Sequence, residues 1–266
     1  MSERHTDRTP IPFRGGGFAP TPRRAVPWIV FVVLIGLWQA ASSSGLLPSL
    51  FMPSPAAIGR ALHELWLNGT LMEHVTASLQ RIVPGWIIGT AAGLASGLAM
   101  GIFSSARAAG LPIVSALFPI PKIALLPVLI LWLGIGEPSK VATIALGVFF
   151  PTVISAYTAC DAVPRNLIRM AQSFGLPARD IVAKILLPGA MPGILAGFRI
   201  SASVALLLVV AAEMIGAQHG IGAFVLTAGN LMQTDQLLAG VVVLSVFGLL
   251  ISWVLGRLER SVLRWR

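Results

Sequence analysis

Six long apolar runs limit the fold of this chain more than any other feature of its sequence. A helix of about 20 apolar residues spans the hydrocarbon core of a bilayer. Because 56% of the 266 residues are hydrophobic and only 11% are charged, a soluble domain is excluded. Backbone groups in hydrocarbon must be satisfied within a helix or a closed barrel, and the alternation of a barrel is missing. We predict an all-α integral membrane protein with six transmembrane helices at about 28–47, 82–103, 111–133, 141–159, 194–217 and 237–255.

The basic residues indicate how these helices are oriented. Arginines and lysines cluster before run 1, between runs 4 and 5 and after run 6, whereas the alternate connections carry few of them. By the positive-inside rule, both termini and the segment at about 160–193 are cytoplasmic. The net charge of +9 therefore reflects membrane orientation, and no nucleic acid partner is expected because the charges are scattered over separate segments.

Two parts of the chain are distinguished by composition. Residues 1–25 are rich in Arg, Pro and Gly and predict a disordered cytosolic tail, which precedes a membrane domain at 26–266. The single Cys160 excludes an intrachain disulfide, and the four histidines are too dispersed to predict a metal site. No nucleophile elbow, phosphate-binding loop or His-Glu-x-x-His motif occurs, so we expect no enzyme activity and no cofactor bound by this chain.

The cytoplasmic segment between runs 4 and 5 predicts a helical hairpin. Pro164 can begin a helix, Gly175 can end it in a left-handed cap, and Pro177 can begin a second short helix that Pro188 ends. One face of the first helix is apolar and the other is polar, which is typical of a docking element. The apolar face carries Leu167, Ile168, Ala171 and Phe174, and the polar face carries Arg165, Arg169 and Gln172.

Run 2 carries a glycine at every fourth position, which permits close approach of another helix. A step of four residues overshoots the 3.6-residue turn, so the row winds around the helix. We therefore expect two successive packing partners rather than one. The row consists of Gly85, Gly89, Gly93, Gly97 and Gly101.

Ionisable residues inside the runs are candidates for the translocation pathway. Lys122 lies between Pro121 and Pro127 in run 3, where the prolines break the helical hydrogen bonding. Glu213 is the acidic residue well inside run 5. These two groups either pair, share a water-filled path, or are satisfied separately, with Lys122 reaching the cytoplasmic interface and Glu213 bonding to backbone.

The cytoplasmic hairpin resembles the loop of permease subunits in bacterial ABC importers, which reads Glu-Ala-Ala, three residues, Gly, nine residues, Ile-x-Leu-Pro. The chain departs from this pattern at Arg169, where the family commonly has Glu, and at Met170, where it often has Ala. The resemblance extends from about residue 28 to the end. The residues that match the loop are Ala171, Gly175, Ile185, Leu187 and Pro188.

Further motifs are similar to those of permeases for aliphatic sulfonates, taurine and nitrate. They are Pro53-Ser54-Pro55, the run from Pro121 to Gly134, Gly220-Ile221-Gly222, Gln233-Thr234-Asp235 and the ending around Leu258 to Trp265. Relatives with this pattern also import bicarbonate or vitamin precursors. The resemblance therefore defines a subfamily better than it defines a solute.

The resemblance implies a type I ABC importer permease in the bacterial inner membrane. Its expected partners are a cytosolic ATPase dimer that binds ATP and Mg²⁺ and grips the hairpin, a periplasmic binding protein, and a second permease copy in a homodimer. The solute is expected to be small and anionic, of sulfonate type. The alternatives are a gradient-driven carrier for a small anion and a structural scaffold, which would not need the ATPase.

Overall fold

A computed structural model describes residues 25–48 and 50–264, and this part of the chain contains helices and turns without strands. The all-α prediction is therefore confirmed. The predicted tail at 1–25 lies outside the described residues except for Ala25. The described residues up to Ala56 and those from Ala57 onward form two compact units. The first unit contains the apolar helix α1, which ends at Ser43, four residues before the predicted end of run 1.

The second unit contains the other transmembrane helices and their connections. The unit boundary falls in the first turn of α2 (Pro55–Leu67). The remaining elements are α3 (Thr70–Ile102), α4 (Ser104–Leu117), a 3-10 turn (Lys122–Leu125), α5 (Leu126–Leu133), α6 (Glu137–Asp161), α7 (Arg165–Ser173), α8 (Ala178–Ile181), a π-helical turn (Val182–Leu186), α9 (Leu187–Gly216), α10 (Ile221–Asn230) and α11 (Thr234–Val262). The helix α1 introduced above spans Val26–Ser43.

The predicted spans correspond to five long apolar helices and one bent pair. The third span is the exception, because α4 and the segment Lys122–Leu133 meet at 87°. Pro119 and Pro121 stand in the connection, where they remove backbone donors and prevent a continuous helix. The prediction that prolines break run 3 is thus confirmed, and α3 begins twelve residues earlier than predicted, at Thr70 rather than residue 82.

Helix α6 forms the centre of the second unit. Ile144, Val148 and Val153 on this helix have no exposed surface. Ile144 and Val148 belong to a hydrophobic cluster with Ile82 of α3 and Val209 of α9, and Val153 belongs to a second cluster with Met100 of α3. The position of α6 between these two helices determines where the polar groups described below can meet.

All five glycines of α3 face α6, so the prediction of two successive partners is wrong. A Cβ at Gly85 would contact Ile144, and one at Gly101 would contact Cys160, at the two ends of the same interface. Between them, a Cβ at Gly97 would lie 2.6 Å from the carbonyl oxygen of Val153. A row of every fourth residue winds around its helix. A partner helix that is inclined along this row follows it as it winds, so α6 alone contacts all five glycines of α3.

Two further local predictions differ from the structure. Pro188 does not end the second short helix but lies in the first turn of α9, because the π-helical turn before it continues the chain without interruption. A proline ring clashes with the carbonyl four residues earlier in a regular helix, and the wider turn relieves that clash. The sixth span was predicted at 237–255, whereas α11 extends from Thr234 to Val262, and a separate helix of ten residues, α10, precedes it.

Candidate functional site

Helix α7 presents a row of exposed apolar side chains. Phe174 is 77% exposed, and Met170 and Leu167 are also exposed, whereas Ala171 on the same helix is buried. Ile168 packs against the hydrophobic cluster of buried residues from α6 and α9. The predicted apolar face therefore has two functions within the molecule: one part anchors α7, and the other part remains free for a partner.

The turn after α7 is a Schellman motif. The N–H of Gly175 donates to the carbonyl of Gln172 at 2.9 Å, and the N–H of Leu176 donates to the carbonyl of Ala171 at 3.1 Å. Gly175 adopts φ = 71°, which favours glycine because it has no Cβ. The turn fixes the direction of the chain between α7 and α8, as the sequence predicts.

The base of the hairpin is attached to the bundle. Ile185 packs against the cluster of α6 and α9, while Leu187 and Pro188 are half-buried at the start of α9. The polar face is solvated: Arg169 is exposed, and the side chain of Arg165 is 76% exposed, with a distance of 3.9 Å between its Nη2 and Oδ1 of Asp161. A displacement of the hairpin is therefore passed directly to α6 and α9.

Lys122 binds backbone at the break in the third span. Its Nζ donates to the carbonyl oxygens of Leu117, Phe118 and Ile120 at 2.7, 3.1 and 2.7 Å. The ammonium also lies 4.3 Å from the ring centroid of Phe150. Lys122 thus satisfies carbonyl groups at the end of α4, which the interrupted helix leaves without intrahelical donors.

Of the alternatives left open for Lys122 and Glu213, a direct pair is excluded, because each has other partners. Glu213 on α9 is fully buried, and its Oε1 accepts hydrogen bonds from Arg81 and Ser78, both at 2.8 Å. Its Oε2 accepts one from the N–H of Gly222 at 2.8 Å. Pro121 and Pro127 are exposed beside the break, and their proposed place on a pathway stays a prediction.

Arg81 on α3 is the centre of this buried cluster. Its Nε and Nη2 donate to the two carboxylate oxygens of Glu137 at 2.5 and 2.7 Å, in a bidentate arrangement. Its Nη1 donates to Glu213 and to the carbonyl of His219, at 2.8 and 2.6 Å. The cluster therefore joins α3, α6, α9 and the α9–α10 loop.

The sequence analysis missed Arg81 because it directly precedes the predicted run 2 and was assigned to the connection. The available signal was its isolation: Arg81 is a basic residue on the side that the positive-inside rule leaves poor in cations. A cation retained at that position indicates a partner, and Glu213 is the complementary charge in a later run. The distance of 132 positions between them hid the pairing.

The α9–α10 loop is held by the same cluster. The N–H groups of Gly220 and Ile221 donate to Nδ1 of His74 and to Oγ of Ser78, at 3.0 and 2.9 Å. Gly220 adopts φ = 135°, and a Cβ there would lie 2.6 Å from Nη1 of Arg81. Glu213 and Ser78 accept from the first N–H groups of α10, where a helix requires acceptors.

The arrangement is structural rather than catalytic. Two carboxylates balance the charges of Arg81 and the neighbouring Lys140, whose Nζ is 3.9 Å from Oε1 of Glu137. The groups of this cluster bind one another and backbone, and no set of three His, Cys, Asp or Glu residues in the described part of the chain is placed to hold a metal ion. The cluster stabilises one end of the bundle, and α7 lies at the other end of α6.

Comparisons with known proteins identify the family of this chain. Residues 87–264 match the family model described as binding-protein-dependent transport system inner membrane component. The chain is 35% identical over 238 residues to the taurine transport system permease protein TauC of Escherichia coli, covering 88% of this chain and 86% of that protein. It is 33% identical over 234 residues to the putative aliphatic sulfonates transport permease protein SsuC of Bacillus subtilis, covering 88% and 85%.

The fold is similar to solved structures of the MetNI methionine ABC transporter in inward-facing conformations. In one of them the TM-score is 0.64 at 22% identity, covering 74% of this chain and 97% of that chain. In another the TM-score is 0.63 at 23% identity. The family model and the two relatives extend over most of the membrane domain. The chain therefore belongs to the family of binding-protein-dependent transport system inner membrane components, the permease subunits of ABC importers.

Proposed function

We propose that two copies of this chain enclose one pathway that imports a small anionic solute of sulfonate type. As a permease subunit, the chain has a separate ATPase and a binding protein as family partners. In our proposal, two ATPases grip the two hairpins from the cytosol, and the binding protein delivers the solute from the periplasm. ATP and Mg²⁺ are bound by the ATPases, and this chain binds no cofactor.

The exposed apolar edge of α7 is the observation that carries this proposal. Leu167, Met170 and Phe174 form a compact apolar surface on a short helix, next to exposed arginines. Burial of such side chains in a partner contributes roughly 1.5–3 kcal/mol for each fully buried residue. The neighbouring Arg169 replaces a carboxylate of the family pattern, so we expect its ATPase to present an acid there or to leave that contact unused.

The proposed topology places both termini and α7 in the cytoplasm of a cell whose inner membrane holds the chain. The excess of arginine and lysine on that side supports this orientation. The opposite end of the bundle, with Arg81 and Glu213, then lies toward the periplasm. Because Arg81 and Glu213 neutralise each other within the cluster, Arg81 does not count as a free cation on that side of the membrane.

The proposed mechanism is gating by rigid-body motion. Closure of the ATPase pair on ATP moves the hairpins, and their attachment through Ile168 and Ile185 transmits this motion to α6 and α9. The glycine interface keeps α3 and α6 together during the motion. The two bundles then alternate between inward-open and outward-open states.

The relatives support a sulfonate-type solute, since two of them are a taurine permease and a putative permease for aliphatic sulfonates. Nitrate is a second oxyanion whose import is to be tested beside that of a sulfonate. A gradient-driven carrier is not favoured: it needs ion-coordinating groups that change partners, whereas Glu213 and Lys122 are both held by several hydrogen bonds.

Affinity purification of the tagged chain from its native membrane tests the proposal. We expect a Walker-motif ATPase in equal amount, and its loss after Phe174→Ser. Phe103→Ser is the matched control, because Phe103 is an exposed phenylalanine outside the hairpin. Consistent absence of the ATPase, or its equal loss in both variants, would overturn the docking role of α7.

A further inference from the structure

A groove between α9 and α11 contains the polar groups that the cluster around Arg81 does not use. Arg199 and Ser203 lie one turn apart on α9, and Ser245 and Ser252 face them from α11. The groove has a cavity volume of about 580 Å³, and its other walls are mainly leucines. Arg199 and Ser252 also line an adjoining cavity of about 540 Å³ that contains Glu259 and Arg260.

The backbone of Arg199 lies deeper than the end of α6, whereas its guanidinium reaches back to Gly256 and Glu259, which follow the predicted end of run 6 at residue 255. The neighbouring Gly197 packs against Ser155 of α6. Ser155 is six residues before the end of α6 at Asp161, which corresponds to about 9 Å along the helix. Since α6 is longer than the roughly 30 Å hydrocarbon core, the backbone of Arg199 is inside the inner leaflet.

A charged residue at this depth requires water or a partner. Nη2 of Arg199 is 2.6 Å from Oε2 of Glu259, yet 49% of the arginine side chain remains exposed, and Arg199 lines both cavities. A Cβ at Gly256 would lie 3.1 Å from Nη2, so the glycine provides the space for the guanidinium. Ser203 and Ser245 in the same groove donate to the carbonyl oxygens of Arg199 and Val241, at 3.2 and 2.9 Å, and their own oxygens can still accept a hydrogen bond from water.

The charge of the lining favours an anion. Arg199 and Arg260 stand against the single carboxylate of Glu259, which leaves one positive charge. In contrast, the ammonium of Lys122 is occupied by three carbonyl oxygens, and Arg81 by two carboxylates. A guanidinium is suited to an oxyanion because its N–H donors form a fixed fork that can bond to two oxygens at once.

We propose that this groove is the intramembrane site for the transported aliphatic sulfonate, with the sulfonate on Arg199 and the alkyl chain along Leu206 and Leu249. This rests on the function proposed above and moves the anion contact from Lys122 to Arg199. The groove combines a cationic end with an apolar wall, as an aliphatic sulfonate combines an anionic head with an apolar chain. Glu259 holds the guanidinium in place between transport events.

Import into proteoliposomes tests the role of Arg199. The complete complex with its ATPase and binding protein is assayed with pentane-1-sulfonate. We expect Arg199→Gln to lower the import rate at least ten-fold, while ATPase assembly remains within two-fold of the unsubstituted complex. Arg199→Lys should retain more import than Arg199→Gln. The matched control is Arg257→Gln, since Arg257 lies over the ring of Trp253 and does not itself line either cavity.

Equal import by Arg199→Gln and Arg257→Gln would overturn the site without affecting the proposed function. Absence of sulfonate import by the unsubstituted complex would instead overturn the proposed function and the sulfonate assignment together. These two failures appear in different arms of the same assay and are therefore distinguishable.

Cysteine labelling distinguishes an aqueous groove from a lipid-facing one. The single Cys160 is buried and is replaced by alanine in the background. In the assembled complex, Ser203→Cys should react with a sulfonate-bearing thiol reagent, and pentane-1-sulfonate should slow the reaction. Ile200→Cys, at an exposed neighbouring position outside the groove, should react at least ten-fold more slowly. A groove occupied by lipid leaves Ser203→Cys unlabelled, which would overturn the proposal.

Discussion

Nη1 of Arg81 lies 2.8 Å from Oε1 of Glu213, and this ion pair connects α3 to α9 inside the protein. The exposed fractions of the two side chains are 5% and 0%. Such a pair adds little to stability compared with an apolar pair, but removal of one partner leaves the other charge buried. The pair therefore fixes which helices meet at this end of the bundle.

Replacement of Glu213 by alanine is expected to destabilise the bundle by about 3–5 kcal/mol, because Arg81 loses its buried counter-charge. Glu137→Ala is the matched control, since it removes the other carboxylate bound to Arg81 from a side chain that is 58% exposed. Water can replace that carboxylate, so we expect a clearly smaller loss. The Tm of each variant in detergent measures the difference, and equal losses would contradict the assigned importance of burial.

The sequence predicts features that depend on neighbouring residues. Pro164, Gly175 and Pro177 determine both ends of α7 and the start of α8 through their own backbone preferences, and the structure contains these limits where predicted. Pro188 was misjudged because a π-helical turn upstream changes its environment. Proline still disrupts a regular helix, but the π-helical turn that accommodates Pro188 is formed by residues whose sequence shows no distinct pattern.

Features that depend on helix arrangement were less predictable. The sequence correctly predicts that the glycine row winds around α3. The inclination of α6, which the sequence does not show, determines whether one or two helices contact that row. Likewise, opposite charges in separate runs do not reveal which of them pair. The sequence left a pair of Lys122 and Glu213 open as one alternative, whereas the break in the third span occupies Lys122 with backbone and leaves Arg81 as the partner of Glu213.

The contact of Gly101 with Cys160 predicts a size-compensation effect. A Cβ at Gly101 would lie 2.6 Å from Cβ and 2.9 Å from Sγ of Cys160, so Gly101→Ala should cost about 1–3 kcal/mol by overpacking. Cys160→Gly removes both of the atoms that collide. The double variant should therefore be more stable than the sum of the two single effects predicts. Tm values of the four proteins test this coupling, and additive effects would contradict the close α3–α6 contact.

Lys122→Met is expected to act through folding rather than through solute recognition. The carbonyl oxygens of Leu117, Phe118 and Ile120 lose a charged donor, which weakens the bend between α4 and α5. We expect a lower Tm and less assembled complex, with the KM for sulfonate import unchanged. Lys122→Arg is the control, because it keeps a cationic donor at the break. A KM raised ten-fold at unchanged Tm would instead identify Lys122 as an anion contact.

Gly175→Val is expected to separate ATP hydrolysis from import. At φ = 71° a side chain costs roughly 1–2 kcal/mol, and no atom within 4 Å of the added Cβ opposes it, so the strain is confined to the hairpin. The apolar edge of α7 then changes its direction relative to α8, and the ATPase pulls on a displaced element. Gly69→Val is a matched control, since Gly69 has φ = 74° and equally open surroundings before α3. Proteoliposomes should show retained ATPase turnover and lost import for Gly175→Val only; normal import in that variant would count against coupling through this hairpin.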